Sequence, residues 1–152
     1  MREARLRALQ TDPASFGSTY ERELAFEPGR WDEWASEDAE GGLYSTLLAV
    51  AGDHAVGIVT GARDEHETEL FHVYSMWVAP EARGRGLGRR LLAGIEVWMR
   101  DSGGKTAQLS VTNEAAAAQR LYESAGYVPD GEVEESPHTP GLVHISLRRR
   151  LG

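Results

Sequence analysis

The segment Arg83-Gly84-Arg85-Gly86-Leu87-Gly88 carries the most chemical information in this chain. Glycines spaced in this way let backbone N–H groups approach a phosphate with no Cβ atoms in the way. Downstream, Leu87, Leu91, Leu92, Ile95, Trp98 and Met99 recur at helical spacing, so the loop opens a helix. The positive end of that helix dipole faces the same anion. Upstream, Glu69 to Val78 is rich in β-branched and aromatic residues and predicts a strand. Strand, glycine loop and helix, in that order, point to a diphosphate ligand. A glycine-rich turn capping a surface helix is the plainer alternative.

The spacing decides which diphosphate ligands fit. A P-loop needs Gly-Lys-Ser/Thr, but Gly88 is followed by Arg89 and Arg90. The dinucleotide fingerprint begins well at Gly84 and Gly86, but Arg89 takes its third glycine position. The pattern R-x-x-G-x-G, after a strand ending Val78-Ala79-Pro80, resembles the pyrophosphate loop of the GNAT acetyltransferases, the Gcn5-related N-acetyltransferases. A second stretch agrees. Leu109-Ser110-Val111 reads as a strand, and Asn113 to Ala125 as a helix ending Leu121-Tyr122-Glu123-Ser124-Ala125-Gly126-Tyr127. This is similar to the family's second motif, L-Y-x-x-x-G-F, with Gly126 suited to a helix C′ position. One departure is clear: the family often has Asn seven residues before the Tyr, where this chain has Ala115. Asn113, two residues earlier, reads as an N-cap more readily than as a cofactor contact.

The resemblance implies acetyl transfer from acetyl-CoA to an amine, and it assigns parts. Backbone N–H groups of Arg83, Gly84, Arg85, Gly86, Leu87, Gly88 and Arg89 would hold the pyrophosphate. The side chains of Arg83, Arg85 and Arg89 would add charge-assisted bonds. Backbone groups of Met76, Trp77 and Val78 would pair with the pantetheine arm as an extra strand. A backbone N–H near Trp77 or Val78 would polarise the acetyl carbonyl, at a place where the family often has a β-bulge. Tyr122 matches the frequent general acid, which protonates or hydrogen-bonds the CoA sulfur; as a plain core residue it would need no such role. His72, Tyr74 and Met76 alternate along the strand and share a face before any bulge. His72 matches a position where some members carry a base, and its imidazole suits deprotonation near neutral pH. A half-buried sheet histidine is the competing reading. Glu21, Glu23 and Glu135 are other carboxylates that could face the acceptor, and uptake of a free amine without a base stays open. Phe16, Tyr20, Phe26, Trp31 and Trp34 are core or an acceptor-pocket lid.

Other constellations fail. His66-Glu67 begins HExxH, but Leu70 replaces the second His. His54, His138 and His144 lack ligand spacing, so no metal is expected. There is no G-x-S-x-G elbow. With no cysteine in the chain, an acyl-cysteine intermediate is excluded, and acyl transfer is direct or uses another nucleophile.

These residues need elements to hold them. The chain has 152 residues, enough for a single domain with a real core. Helices are expected over Arg2 to Gln10, Trp31 to Ala39 and Leu87 to about Arg100, with Ala14 to Phe26 a helix or an ordered loop. Strands are expected over Leu43 to Val50, Ala55 to Ala62, Glu69 to Val78, Thr106 to Val111, Tyr127 to Val133 and Leu142 to Arg149. Turns fall at Gly52-Asp53 and Asp64 to Glu67. This is an α/β (α+β) architecture, a mixed sheet covered by helices; the resemblance makes it mostly antiparallel. The family's usual first strand is either absent or upstream of Met1. Its absence would expose Leu43 to Val50 as an edge and favour a homodimer.

A net charge of −8 argues against a nucleic-acid partner and suits a cationic amine, from a small molecule or a peptide. No apolar run approaches the ~20 residues that span a bilayer, and the charged start lacks a secretory h-region, so the cytoplasm is expected. A longer acyl-CoA donor stays open and would be decided around Met76 and Leu109. Two other functions compete: a non-catalytic acyl-CoA-binding regulatory module, and acyl transfer to aminoacyl-tRNA. The second would need a basic patch, and Arg148-Arg149-Arg150 reads instead as a solvated terminal strand.

Overall fold

In a computed structural model, residues 1–12, 19–27, 30–31, 42–137 and 139–152 are described. The order is α1 (Arg2–Thr11), α2 (Tyr20–Leu24), β1 (Tyr44–Ala51), β2 (His54–Arg63), β3 (Leu70–Val78), α3 (Leu87–Asp101), β4 (Thr106–Thr112), α4 (Ala116–Ser124), β5 (Val128–Glu135) and β6 (Val143–Arg150). A single 3-10 turn, Pro80–Ala82, separates β3 from the glycine loop. The expected helix at Trp31 to Ala39 and the stretch from Ala14 to Ser18 lie largely outside the described residues, as do Phe16, Trp34 and His138.

The six strands form one sheet in the order β1-β2-β3-β4-β6-β5. Only the β3–β4 pair is parallel, because α3 must cross from the end of one to the start of the other. β1 stands at one edge and β5 at the other, and no strand precedes α1 among the described residues.

α3 supplies the main core. Its Leu91, Leu92, Ile95 and Met99 are buried against Val59, Phe71, Val73, Ala107 and Leu109 of the sheet. The helix lies close to β2 because Gly61 has no side chain: a Cβ there would sit 2.7 Å from Ile95 Cγ1. On the other face α1 packs Ala4 and Ala8 against Ile58, Trp77 and Ala79. The indole Nε1 of Trp77 donates to Thr11 Oγ1 at 3.1 Å and to Asp12 Oδ2 at 2.9 Å. A buried polar group sits behind α3, where Tyr127 donates to Glu96 Oε1 at 2.9 Å and Arg149 to Glu96 Oε2 at 2.7 Å.

Two expectations need correction. The helix expected over Asn113 to Ala125 spans only Ala116–Ser124, with Ala115 at its N-cap position. Asn113 does not cap it. Its backbone N–H donates to the Val143 carbonyl at 2.9 Å and its Oδ1 accepts from the Val143 N–H at 3.0 Å, tying the loop to the start of β6. Of the three terminal arginines expected to be solvated, Arg150 is exposed, whereas Arg148 pairs with Asp130 at 3.1 Å and Arg149 with Glu96.

Candidate active site

β3 and β4 hold register over three pairs only, the last being His72 with Gln108. Past that point β3 stays on β2 and β4 stays on β6, so the two diverge and the sheet opens into a wedge. A cleft of about 1160 Å³ occupies the wedge. Val73 to Met76 line one wall and Leu109 to Thr112 the other, with Ala115, Ala118 and Tyr122 at the α4 side. Beyond His72, β3 has a strand partner on one side only. Its other edge therefore offers backbone donors and acceptors to an extended ligand.

A bulge sits in this strand. Ile58 faces Trp77 and Thr60 faces Tyr74, so β3 uses one more residue than β2 between those pairs. Ser75 is at the bulge with φ +56, the one described non-glycine residue in the left-handed region. Such a conformation costs on the order of 1–3 kcal/mol and persists only where neighbours enforce it. At this point Arg5 of α1 donates to the Ser75 hydroxyl. The same guanidinium makes two bonds to Glu23 of α2, Nε to Oε2 and Nη2 to Oε1, each 2.9 Å. Both side chains of this ion pair are at most one-tenth exposed.

The bulge reverses which face the following residues address. His72 and Tyr74 stay together, stacked at 5.7 Å and 18°. Met76 does not join them, contrary to the alternation expected for a regular strand. It turns to the α3 side and packs on the main core, while Trp77 turns to the α1 side. His72 and Tyr74 on one face and Met76 on the other thus meet at the wedge.

The glycine loop stands at the N-terminus of α3. Gly84 and Gly86 have φ +79 and +75, a turn that side-chain-bearing residues resist. Gly88 lies against Leu121, Met76 and Val78, with its virtual Cβ 3.2 Å from Leu121 Cδ2. The first turn of α3 holds Arg89 and Arg90 and no carboxylate, the reverse of what a helix N-terminus favours without an anion. Arg83 is engaged within the fold, donating from Nε to the Val78 carbonyl at 2.9 Å and from Nη2 to Asp12 at 2.6 Å. Arg89 reaches the Ser124 carbonyl at 3.0 Å. Of the three arginines around the loop, Arg85 alone makes no hydrogen bond or ion pair among the described residues.

Tyr122 is buried in α4 and lines the cleft. Its ring meets Tyr127 edge-on at 6.1 Å, and its hydroxyl has no hydrogen-bond partner among the described residues. Burial pushes the phenol up to about 12, so it stays protonated at neutral pH. His72 also lines the cleft, with its Nε2 2.7 Å from Asp64 Oδ2. Of the three carboxylates expected near the acceptor, Glu23 is committed to Arg5, and Glu21 and Glu135 are exposed and do not line the cleft. Glu132 and Glu134, which sequence reasoning passed over, line it instead, together with Tyr44 and His144. No alternation in the sequence marks them, since Gly131 to Glu134 all line the cleft and the β5–β6 register breaks between Pro129 and Val133. Phe26 and Trp31 pack on each other at 5.7 Å, with Trp31 buried.

A mixed sheet split beside a glycine loop and a buried tyrosine is the architecture that the resemblance of the two sequence motifs implied. The chain belongs to the acetyltransferase (GNAT) family, whose model matches residues 5–127. Among curated relatives, a mycothiol acetyltransferase of Rhodococcus erythropolis is 34% identical over 112 residues, covering 66% of this chain and 37% of that protein. Another mycothiol acetyltransferase, of Gordonia bronchialis, is 42% identical over 64 residues, covering 41% of this chain and 20% of its own length. The chain thus spans well under half the length of the curated relatives it matches. The fold is shared with a GNAT-family acetyltransferase of Streptococcus pneumoniae, at TM-score 0.81 and 21% identity, covering 99% of this chain and 93% of that one. It is also shared with yncA of Salmonella typhimurium, solved with its cofactor acetyl-CoA, at TM-score 0.79 and 18% identity, covering 99% and 86%.

Proposed function

We propose that this chain transfers an acetyl group directly from acetyl-CoA to the primary amine of a small molecule. The observation that carries the reading is the wedge itself. It is open between β3 and β4, has the glycine loop at the start of α3, and has the Tyr122 hydroxyl unengaged within it. Acetyl-CoA supplies an activated carbonyl whose leaving group is a thiolate. Backbone N–H groups of the Arg83–Arg89 loop bind its pyrophosphate, and the unpaired edge of β3 from Met76 to Val78 orients the pantetheine arm. A backbone N–H near Trp77 or Val78, turned by the bulge, polarises the carbonyl. His72 takes one proton from the arriving ammonium, leaving a neutral amine. The C–N bond forms as the C–S bond breaks, and Tyr122 gives its proton to the departing sulfur. The proton lost by the new amide restores Tyr122, and His72 releases its own to solvent.

The mycothiol acetyltransferase relatives favour a small-molecule acceptor by name. Exposed Glu132 and Glu134 at the cleft suit a cationic amine. Transfer to aminoacyl-tRNA loses its basic patch, since Arg148 and Arg149 are already paired with Asp130 and Glu96. No helix among the described residues is long and apolar enough to cross a membrane.

The test is calorimetric titration with CoA and acetyl-CoA, followed by turnover against a panel of primary amines (amino sugars, aminoacyl amides and polyamines). Micromolar binding that is lost in Gly86→Trp supports the donor site. In Tyr122→Phe, kcat should fall by roughly 100-fold or more while acetyl-CoA affinity is kept. Absence of binding by folded wild type would overturn the reading.

A further inference from the structure

Asp64 was expected only as part of a charged turn, and its position gives it more to do. One of its oxygens, Oδ1, accepts from the backbone N–H of His66 at 2.8 Å and of Glu67 at 2.9 Å. That pair of bonds fixes the carboxylate in the turn between β2 and β3. The other oxygen, Oδ2, lies 2.7 Å from His72 Nε2. Both side chains are about one-fifth exposed, so the contact is sheltered but reachable from the cleft. The opposite face of the ring arrangement is fixed by the stack on Tyr74. His72 Nδ1 has no hydrogen-bond partner among the described residues and is not sealed away from solvent.

We propose that Asp64 is a positioning residue for His72, holding the ring proton on Nε2 and leaving the Nδ1 lone pair as the basic atom at the cleft. The inference rests on the reading of His72 as the base. An ionised carboxylate only accepts, so the imidazole atom facing it must donate. Neutral His72 is thereby restricted to one tautomer. When Nδ1 takes a proton from the amine, the resulting imidazolium sits against a fixed negative charge. The bonds from His72, His66 and Glu67 hold the Asp64 carboxyl well below its usual range, so it is ionised wherever His72 can act.

The geometry makes the test sharp. In Asp64→Asn the two backbone donors of the turn still require an oxygen at the Oδ1 position. The amide NH2 must then occupy the Oδ2 position and donate to His72 Nε2. Nε2 becomes the acceptor, the ring proton moves to Nδ1, and the base is blocked. The experiment is nitrogen-15 NMR of the histidine side chains at a pH where His72 is neutral, with His72→Gln used to assign its signals. Turnover is followed with the panel amine that wild type acetylates fastest. The expected result is an Nε2–H tautomer in wild type and Nδ1–H in Asp64→Asn, with kcat lowered roughly 10-fold or more and KM for acetyl-CoA unchanged. An unchanged tautomer in Asp64→Asn overturns the proposal, as does a reversed tautomer with wild-type kcat. If His72→Gln itself keeps wild-type kcat, the base reading fails, and that outcome is recognised before Asp64 is varied. Should Asp64→Asn not fold, Asp64→Ser keeps an acceptor for the turn. The Nε2–H preference and kcat should then both be lost, and retention of either would count against Asp64.

Discussion

Replacing Glu23 by Leu should destabilise the protein far more than a substitution in a five-residue helix would suggest. Glu23 meets Arg5 through two bonds of 2.9 Å, with the two side chains 3% and 10% exposed. Removing Glu23 strips the desolvated Arg5 guanidinium of its two carboxylate bonds, and breaking a buried pair in this way costs about 3–5 kcal/mol. For a chain of this size each kcal/mol corresponds to about 2–4 °C in Tm, so a fall of roughly 6–20 °C is expected. Thermal melts by circular dichroism and urea midpoints would measure it. The double substitution Arg5→Met with Glu23→Leu removes both charges and should recover most of the loss, because a well-packed apolar pair is often as stable as a buried ion pair. Activity should not recover with it. Arg5 also donates to Ser75, and the double substitution removes that contact at the bulge. A Glu23→Leu protein within about 1 kcal/mol of wild type would refute the energetic argument. A double mutant with normal stability and normal turnover would refute the expectation that the site depends on the Arg5 contact at the bulge.

Two further predictions concern pH. Asp64 is more acidic in the folded protein than in the unfolded chain, because His72 and two backbone N–H groups bond to its ionised form. The unfolded state therefore binds more protons below about pH 4, and stability contributed by Asp64 is lost as pH falls through that region. Urea midpoints followed into acid should fall less steeply in Asp64→Asn than in wild type. Tyr122 behaves in the opposite sense. Its phenol is pushed up to about 12 by burial, against about 10 in the unfolded chain. Its contribution is full below the lower value and is lost as pH rises between the two. Tyrosine absorbance titration of Tyr122→Phe should lack one phenol that ionises near the upper end, and its alkaline denaturation should be shallower than wild type.

The glycine loop and the helix it opens were legible because their information is local. Gly84, Gly86 and the periodic leucines of α3 specify a turn and a helix through their own backbone preferences, with little help from the rest of the chain. Tyr122 was legible in the same way, as part of a helix end completed by Gly126 at φ +93. The misreadings came where a residue's partner is distant. Asn113 looks like an N-cap until Val143, thirty positions away, is brought beside it. Met76 looks like a companion of His72 because strand alternation is a local rule, and the bulge that breaks it is set by the pairing of Ile58 with Trp77. Ser75 gives no warning, since serine is neither a favoured left-handed residue nor a strong strand former. Glu23 reads as one surface carboxylate among many until Arg5 is placed against it.

The bulge is the point at which these long-range contacts act on the site. It ends the simple alternation of β3, so one strand can deliver His72 and Tyr74 to one face and Met76 to the other. Since β3 pairs with β4 only as far as His72, the change of face coincides with the mouth of the wedge. A strand without the extra residue would carry Met76 round to the His72 side and withdraw it from Gly88, whose virtual Cβ lies 3.5 Å from Met76 Cε. The loop and the wedge would then lose their common wall. Arg5 joins α1 to the bulge at the Ser75 hydroxyl, and α1 is in turn tied to the loop through Asp12, which accepts from both Trp77 and Arg83. α1, β3 and the glycine loop form one mechanical unit, so damage at Arg5 or Asp12 should be felt at the donor site even though neither residue belongs to the loop.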